Sequence, residues 1–88
     1  MKIKKGFAKR EIAGSHIVVP VGKNAKEFNG MITLNESGAF FWDCFQKDIT
    51  VDEAVKLVCA EYDVDPERAR TDIEKFVKLL SDNGIFED

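Results

Sequence analysis

The order of sequence patterns predicts an α+β domain in which a three-stranded antiparallel sheet is followed by three helices. Short runs of β-branched and apolar residues, separated by turn residues, occupy residues 1–34. From residue 35 onward, apolar residues recur at helical spacing, and each run follows a residue that favours a helix N-terminus. Strands followed by helices are typical of the α+β class. With 88 residues, we expect one domain, 1–88, around one hydrophobic core.

The first two strands are predicted at Phe7–Ala13 and His16–Val21. Gly14-Ser15 lies between them, and a two-residue loop that contains glycine is typical of a β-hairpin. The second run is rich in β-branched residues, which favour strands. Pro20 has no N–H to donate to a neighbouring strand, so we expect it at a sheet edge or a strand end.

A third strand is predicted at Glu27–Leu34. Ile32 and Leu34 are spaced by two and therefore share one face of this strand. Gly30 indicates a bulge or the close approach of another backbone. The stretch Gly30–Leu34 carries no charge, and an uncharged edge strand tends to pair with another chain unless it is covered or used. The third strand is therefore a candidate binding element.

Helix start and stop signals place three helices after the sheet. Asn35 is a good N-cap for the first. Thr50 and Glu53 form a capping-box pattern at the start of the second. Asp65-Pro66 predicts the third, with an N-cap followed by proline at the first helical position. Asn83-Gly84 ends it, and the chain then continues as a short extended segment.

Each predicted helix has an apolar face that we expect to line the core. These residues are Phe41, Trp42 and Phe45 on the first helix, Val51, Ala54, Val55, Val58 and Tyr62 on the second, and Ala69, Ile73, Phe76, Val77 and Leu80 on the third.

Charge is distributed unevenly along the chain. Residues 1–35 hold seven Lys/Arg and two Asp/Glu, a net charge of +5, whereas residues 36–88 hold six and fourteen, a net charge of −8. Such asymmetry indicates a polarised surface. The basic start is not followed by an apolar run, as a secretion signal would be, and no stretch approaches the roughly 20 apolar residues of a membrane span. The expected compartment is the cytoplasm.

Candidate catalytic and metal-binding groups are few, so we expect no enzyme activity, no metal and no cofactor. His16 is the single histidine, and its strand neighbour Ser15 points to the opposite face, which rules out a direct nucleophile–base pair between them. There is no glycine-rich phosphate loop and no C-x-x-C motif. Cys44 and Cys59 lie in apolar helical patterns and are predicted to be buried free thiols.

Residues 27–42, EFNGMITLNESGAFFW, resemble the centre of the PqqD-like family, where a short strand ending in Leu-Asn runs into a small-residue turn and an apolar helix. The likeness extends over residues 7–86 through the opening hairpin, the second-helix start at residues 50–54 and the Gly84-Ile85 ending. The chain departs from the pattern at Asp48-Ile49, where many members carry a turn that contains glycine.

The resemblance implies a fold similar to winged helix-turn-helix domains and a non-catalytic role. Such domains recognise the leader segment of a ribosomally made precursor peptide. They present it to a modifying enzyme, often a radical S-adenosylmethionine enzyme. The peptide is bound as an added strand beside the third strand, in a cleft closed by the third helix. Strand addition needs an open edge with free N–H and C=O groups.

This resemblance predicts peptide-binding residues on the third strand and on the facing side of the third helix. They are Gly30, Met31, Ile32, Thr33, Leu34, Arg68, Asp72, Lys75, Phe76 and Leu79. Arg68 and Lys75 are candidates to meet an acidic leader residue, and Leu79 an apolar one. The alternative for both cations is simple solvent exposure on a helix.

Two other function classes remain open. Winged-helix DNA binding is disfavoured because the third helix, Pro66–Asp82, holds four basic and four acidic residues, whereas duplex binding relies on cations that contact phosphates. A general protein-docking domain would use Phe40 and Cys44, which lie off the main apolar stripe, and an exposed Phe40 would favour it. An unpaired edge strand also allows a homodimer formed through that edge.

Overall fold

A computed structural model of the chain describes residues 1–22 and 32–87. The elements within this part are β1 (Phe7–Ile12), β2 (Ser15–Pro20), β3 (Ile32–Leu34), α1 (Glu36–Cys44), α2 (Val51–Glu61) and α3 (Pro66–Asp82). The strands form one antiparallel sheet in the order β1-β2-β3. The predicted α+β class, with strands before helices, is confirmed.

The β1–β2 hairpin turns one residue earlier than predicted. Ile12 pairs with Ser15, so the loop is Ala13-Gly14 rather than Gly14-Ser15. Both loop residues have positive φ, 51° and 81°. Two-residue loops with positive φ at both positions match the twist of the flanking strands, which explains why Gly14 occupies the second loop position. Pro20 is the last residue of β2, as expected.

The third strand is confirmed where the structure describes it. Ile32 and Leu34 are buried, and Thr33 between them is exposed, so the predicted alternation holds. The predicted part Glu27–Met31 lies outside the described residues. β3 pairs with β2 through Val18, which is fully buried opposite Ile32.

The helix caps follow the sequence signals with one exception. The side chain of Asn35 accepts a hydrogen bond from the N–H of Gly38 at 2.7 Å. Thr50 and Glu53 form the complete capping box, with bonds of 3.1 and 3.2 Å. Asp65 occupies the N-cap position of α3 but makes no side-chain hydrogen bond there. The start of α3 therefore depends on the proline at its first position and on packing.

Most of the predicted helical core is buried. The buried members are Phe41, Trp42, Phe45, Ala54, Val55, Val58, Ala69, Ile73, Phe76 and Leu80. Val51 and Val77 are partly buried against this core. Tyr62 was predicted on the core face but is 45% exposed. The reason is that α2 ends at Glu61 and Tyr62 has extended backbone (φ −121°, ψ 148°), so helical spacing no longer orients it.

The first residues of the chain pack against its last ones. Ile3 is 4% exposed and pairs with Phe86 in an isolated antiparallel bridge. The N–H of Ile3 donates to the carbonyl of Phe45 at 2.9 Å, and the N–H of Lys4 donates to that of Ile85 at 2.9 Å. The predicted extended ending after α3 is thus confirmed, and it closes the core together with the N-terminal segment.

Candidate functional site

An open cleft of about 470 Å³ lies between the end of β3, the start of α1 and one face of α3. Seven of the sequence-predicted site residues line it: Thr33, Leu34, Arg68, Asp72, Lys75, Phe76 and Leu79. Four further lining residues come from the junction between β3 and α1 and from α1 itself: Asn35, Ser37, Gly38 and Phe41. The strand and the helix that the resemblance singled out therefore lie on opposite sides of one groove.

One edge of β3 has no strand beside it in the described part of the chain. β3 pairs with β2 on one side and is the last strand of the sheet. In an antiparallel sheet, alternate residues of an edge strand direct N–H and C=O groups away from the existing partner. These groups are available to a further strand, and the exposed Thr33 lies at the cleft.

The α3 wall of the cleft is a single helical stripe. Arg68, Asp72, Lys75 and Leu79 are separated by four, three and four residues, so they project from the same face. Arg68 and Lys75 are exposed, Asp72 is half-buried, and Leu79 is 42% exposed. The wall thus offers two cations around one carboxylate, with an apolar residue at its C-terminal end.

Phe76 forms the apolar floor of the cleft rather than its rim. It is only 6% exposed, as expected for a residue on the apolar face of the third helix. Its ring packs edge-on against Phe41 at 5.6 Å and stacks on Phe45 at 6.1 Å. Aromatic contacts of this kind fix the ring position, so the floor is preformed.

The four basic residues of α3 differ in their partners. Arg70 forms an ion pair with Asp52 of α2, and this carboxylate raises the pKa of the Arg70 guanidinium. Lys78 pairs with Asp82 at 3.4 Å. The side chains of Arg68 and Lys75, which line the cleft, form neither a salt bridge nor a hydrogen bond within residues 1–22 and 32–87. Both cations facing the groove are therefore unengaged by the described protein.

One predicted site residue of the described structure, Ile32, does not line the cleft. Ile32 is 8% exposed and lies opposite Val18 in the core, because the pleat turns its side chain inward. Its side chain belongs to the core, and its backbone is part of β3. Gly30 and Met31 lie outside the described residues.

Sequence reasoning missed the contribution of the β3–α1 junction. Asn35 was identified as a helix cap, and this same cap lines the cleft. A Cβ at Gly38 would lie 3.1 Å from the Asn35 Oδ1 atom and 3.4 Å from the Leu34 Cβ atom. Gly38 therefore permits α1 to begin directly against the end of β3. The small residues Ser37 and Gly38, directly after the helix cap, are the sequence signal from which this close approach could be predicted.

Other chemistry-bearing groups do not assemble into a site in the described residues. Residues 1–22 and 32–87 contain no group of three or more His, Cys, Asp or Glu side chains placed to hold a metal ion. Cys44 and Cys59 are free thiols but are only partly buried, which corrects the predicted burial. Burial, followed by the negative charge of Asp43, raises the pKa of the Cys44 thiol. None of the described helices is both long and apolar enough to cross a membrane.

Phe40 is not the exposed aromatic surface that a general docking domain would need. It is half-buried, and its ring packs edge-on against Tyr62 with 5.3 Å between centroids. Cys44, one turn later on α1, is partly buried as well. Neither Phe40 nor Cys44 therefore forms the exposed apolar surface on which the docking alternative depends.

Comparison with known proteins points to one family. The family model described as Coenzyme PQQ synthesis protein D (PqqD) matches residues 15–85. The structure of TbiB1 in complex with the TbiA(beta) leader peptide has a TM-score of 0.74 and 21% sequence identity over 100% of both chains. A lasso peptide synthetase B1 complexed with the leader peptide has a TM-score of 0.71 and 17% identity, covering 96% of this chain and 93% of that one. No curated protein sequence matches the chain.

Proposed function

The chain belongs to the PqqD family, and from this premise we propose that it is a non-catalytic domain that binds the leader segment of a ribosomally made precursor peptide. The leader adds a strand to the free edge of β3 and lies against α3. The domain presents the bound peptide to a modifying enzyme. Both structural neighbours named above are complexes with leader peptides, which supports this ligand class.

The observation that carries the proposal is the edge of β3 that has no partner strand within residues 1–22 and 32–87, and that faces a groove with a preformed floor. Strand addition supplies affinity through main-chain hydrogen bonds, which do not depend on the guest sequence. Alternate side chains of an added strand point to one face, so every second residue of the guest enters the groove. The buried ring of Phe76 and the partly exposed Leu79 provide apolar contacts for those side chains.

The two unpaired cations supply charge selectivity. Arg68 and Lys75 lie on the same stripe of α3 and face the groove without a partner in the described residues. An acidic leader side chain gains a charge-assisted hydrogen bond there, and such bonds are stronger than neutral ones. Asp72 lies between them, and its negative charge disfavours a second acidic residue at the neighbouring position of the leader. The preference for an acidic side chain is therefore confined to single positions of the leader.

The proposal is tested with overlapping synthetic peptides that tile each short reading frame encoded beside the gene of this chain. Each peptide is titrated into isotope-labelled protein while the amide resonances are followed. We expect one peptide to shift the amides of Ile32–Leu34 and of the cleft-facing stripe of α3. Shifts confined to the β1–β2 hairpin would contradict the proposed site.

Main-chain pairing is tested on the bound peptide itself. Methylating one peptide nitrogen at a time removes one donor and leaves the side chains unchanged. We expect affinity to fall at alternate positions, because only every second N–H of an added strand points toward β3. The intervening positions are the matched controls. Equal losses at neighbouring positions would indicate a different binding mode.

The modifying enzyme and the assembly state belong to the same proposal. We propose a cytoplasmic peptide-modifying enzyme as the partner, with the radical S-adenosylmethionine class as the first candidate and the enzyme encoded beside this gene as the one to assay.

A second copy of the chain is an alternative guest for the edge of β3. If copies pair there, adding the leader peptide converts dimers to monomers in sedimentation experiments.

A further inference from the structure

The face of the sheet that points away from the core is largely apolar. Val18, Ile32 and Leu34 are buried in the core together with the helices, so their neighbours along each strand point to the opposite side. The register places seven residues on this outer sheet face: Ala8, Arg10, Ile12, Ser15, Ile17, Val19 and Thr33. Of these seven, four are apolar, one is a cation and none is acidic.

The apolar residues of the outer sheet face do not belong to the core. Ile12 is 55% exposed, Ile17 and Val19 are partly exposed, and none of the three is a member of the core cluster. Ile17 lies beside Arg10 on β1 and Thr33 on β3, at the centre of the face. Contiguous exposed apolar residues on a soluble domain mark interaction surfaces.

Arg10 determines what chemistry a partner needs. Its side chain is exposed and forms neither a salt bridge nor a hydrogen bond within residues 1–22 and 32–87. Lys9, which points to the inner face, is instead bonded to Asp43 at 2.8 Å. A partner that covers the outer sheet face must supply a carboxylate, because burying an unpaired cation costs free energy. A second copy in twofold contact through this face cannot supply one, because none of the seven residues is acidic.

The outer sheet face is continuous with the proposed leader site. Thr33 lies on this face and also lines the cleft. A leader strand added beside β3 points alternate side chains to opposite faces of the sheet, so half of them enter the cleft and the others extend the outer sheet face. A partner seated on this face therefore contacts the leader as well as the domain.

We propose that the outer sheet face is the docking surface for the peptide-modifying enzyme, which contributes an apolar surface with a carboxylate opposite Arg10. The inference rests on the proposed function of the cleft. The enzyme contacts the leader side chains that point away from the cleft, so leader and enzyme bind the domain cooperatively. Each strengthens binding of the other by the same factor. Docking thus favours the domain that already carries a peptide.

The test measures binding of the purified peptide-modifying enzyme encoded beside this gene, by surface plasmon resonance with and without saturating leader peptide. The variants of the outer sheet face are Arg10→Glu, Arg10→Lys and Ile12→Ala. Lys56→Glu and Leu57→Ala are the matched controls, because both residues are exposed and lie on α2, outside the sheet. Leu57 is 47% exposed, close to the 55% of Ile12. Circular dichroism and leader affinity check that each variant is folded.

We expect Arg10→Glu to weaken enzyme binding at least about tenfold and Ile12→Ala about fivefold. Arg10→Lys keeps the charge and should cost less than about threefold, and both α2 controls less than about twofold. Saturating leader should strengthen binding of the enzyme to the wild-type domain at least about fivefold. Without the enzyme, all variants should bind the leader like wild type.

The possible failures are distinguishable. Enzyme binding that is absent, or that is unaffected by Arg10→Glu and Ile12→Ala, overturns the docking surface and leaves leader binding intact. A wild-type dimer that Arg10→Glu or Ile12→Ala converts to monomers in sedimentation experiments assigns the face to a second copy and also overturns the inference. A wild-type domain that binds no leader peptide overturns the proposed function and the docking surface with it.

Discussion

At the scale of single residues, the basic side chains of α3 fall into two groups that the sequence does not distinguish. Arg70 and Lys78 are held by Asp52 and Asp82, whereas Arg68 and Lys75 face the cleft without a partner in the described structure. Exposed ion pairs contribute little to the free energy of unfolding, so the pairing of Arg70 and Lys78 is not a major source of stability. Only the second group lines the cleft.

Lys75→Ala should weaken leader binding about tenfold, since one charge-assisted hydrogen bond contributes roughly 1.5 kcal/mol. Lys78→Ala is the matched control, because Lys78 is an exposed lysine of the same helix that does not line the cleft. We expect it to change affinity less than about twofold. Fluorescence anisotropy of a labelled leader peptide measures both. Equal effects of the two substitutions would remove Lys75 from the site.

The thiol of Cys44 should ionise at a higher pH in the folded protein than in the unfolded chain. Its pKa is raised by burial and then by the negative charge of Asp43, and both disfavour the thiolate. Since the thiolate is the reacting form, the midpoint of iodoacetamide alkylation against pH should lie above that of the same residue in urea. Peptide mass spectrometry measures both profiles, and a folded midpoint at or below the unfolded one would contradict the expected direction.

At the scale of secondary-structure elements, the three helix starts look equally well signalled in the sequence but are built differently. Asn35 and Thr50 make their capping hydrogen bonds, while Asp65 makes none. The sequence identifies residues suited to a cap. Whether the side chain of that residue turns toward the helix depends on how the preceding loop packs, which only the tertiary structure specifies.

Thr50→Ala should lower the free energy of unfolding by about 1 kcal/mol, because it leaves the N–H of Glu53 without its capping partner. Asp65→Ala should cost about half of that or less, since only the favourable interaction of its charge with the helix N-terminus is lost. Urea denaturation followed by circular dichroism measures both. Asp65→Ala costing as much as Thr50→Ala would show that Asp65 caps α3 in solution.

At the scale of the whole molecule, the two ends of the chain close the core together. Ile3 and Ile85 are buried, and the segment from residue 1 to 4 bonds to the end of α1 and to the C-terminal segment. Terminal residues usually tolerate truncation unless they are tied down in this way. The first residues are therefore part of the fold.

Ile3→Ala should destabilise the domain by about 2–5 kcal/mol, the usual cost of truncating a buried isoleucine. Ile12→Ala serves as the control, because Ile12 is 55% exposed and its truncation should change stability by less than about 1 kcal/mol. Chemical denaturation measures both through the transition midpoint. Similar midpoints for the two variants would mean that the N-terminal segment is not packed in solution.

Duplex DNA should not be retained by this protein at neutral pH and moderate salt. The chain from residue 36 onward has a net charge of −8, and two of the four α3 cations are already paired. A surface of this sign repels phosphates, on which non-specific duplex binding depends. Electrophoretic mobility at several salt concentrations checks this. Retention that falls steeply with salt would revive the winged-helix DNA-binding alternative.

The sequence alone determined the α+β class, the helical core and the helix starts, because these depend on local spacing and capping chemistry. Period-two and helical patterns identify buried faces such as Ile73 and Phe76 without knowledge of partners. The resemblance also assigned Thr33 and Lys75 to one site, and both line the cleft.

Tertiary structure determined the features that depend on how elements pair and pack. The hairpin loop is Ala13-Gly14 rather than Gly14-Ser15 because the pairing of β1 with β2 fixes the register. The exposure of Tyr62 follows from the point at which α2 ends, because the backbone of Tyr62 is extended there. The availability of Arg68, in contrast to Arg70, depends on Asp52 of α2, which lies 18 residues from Arg70 in the sequence and forms an ion pair with it. Such contacts join chain segments whose spacing carries no local signal, so only the folded arrangement specifies them.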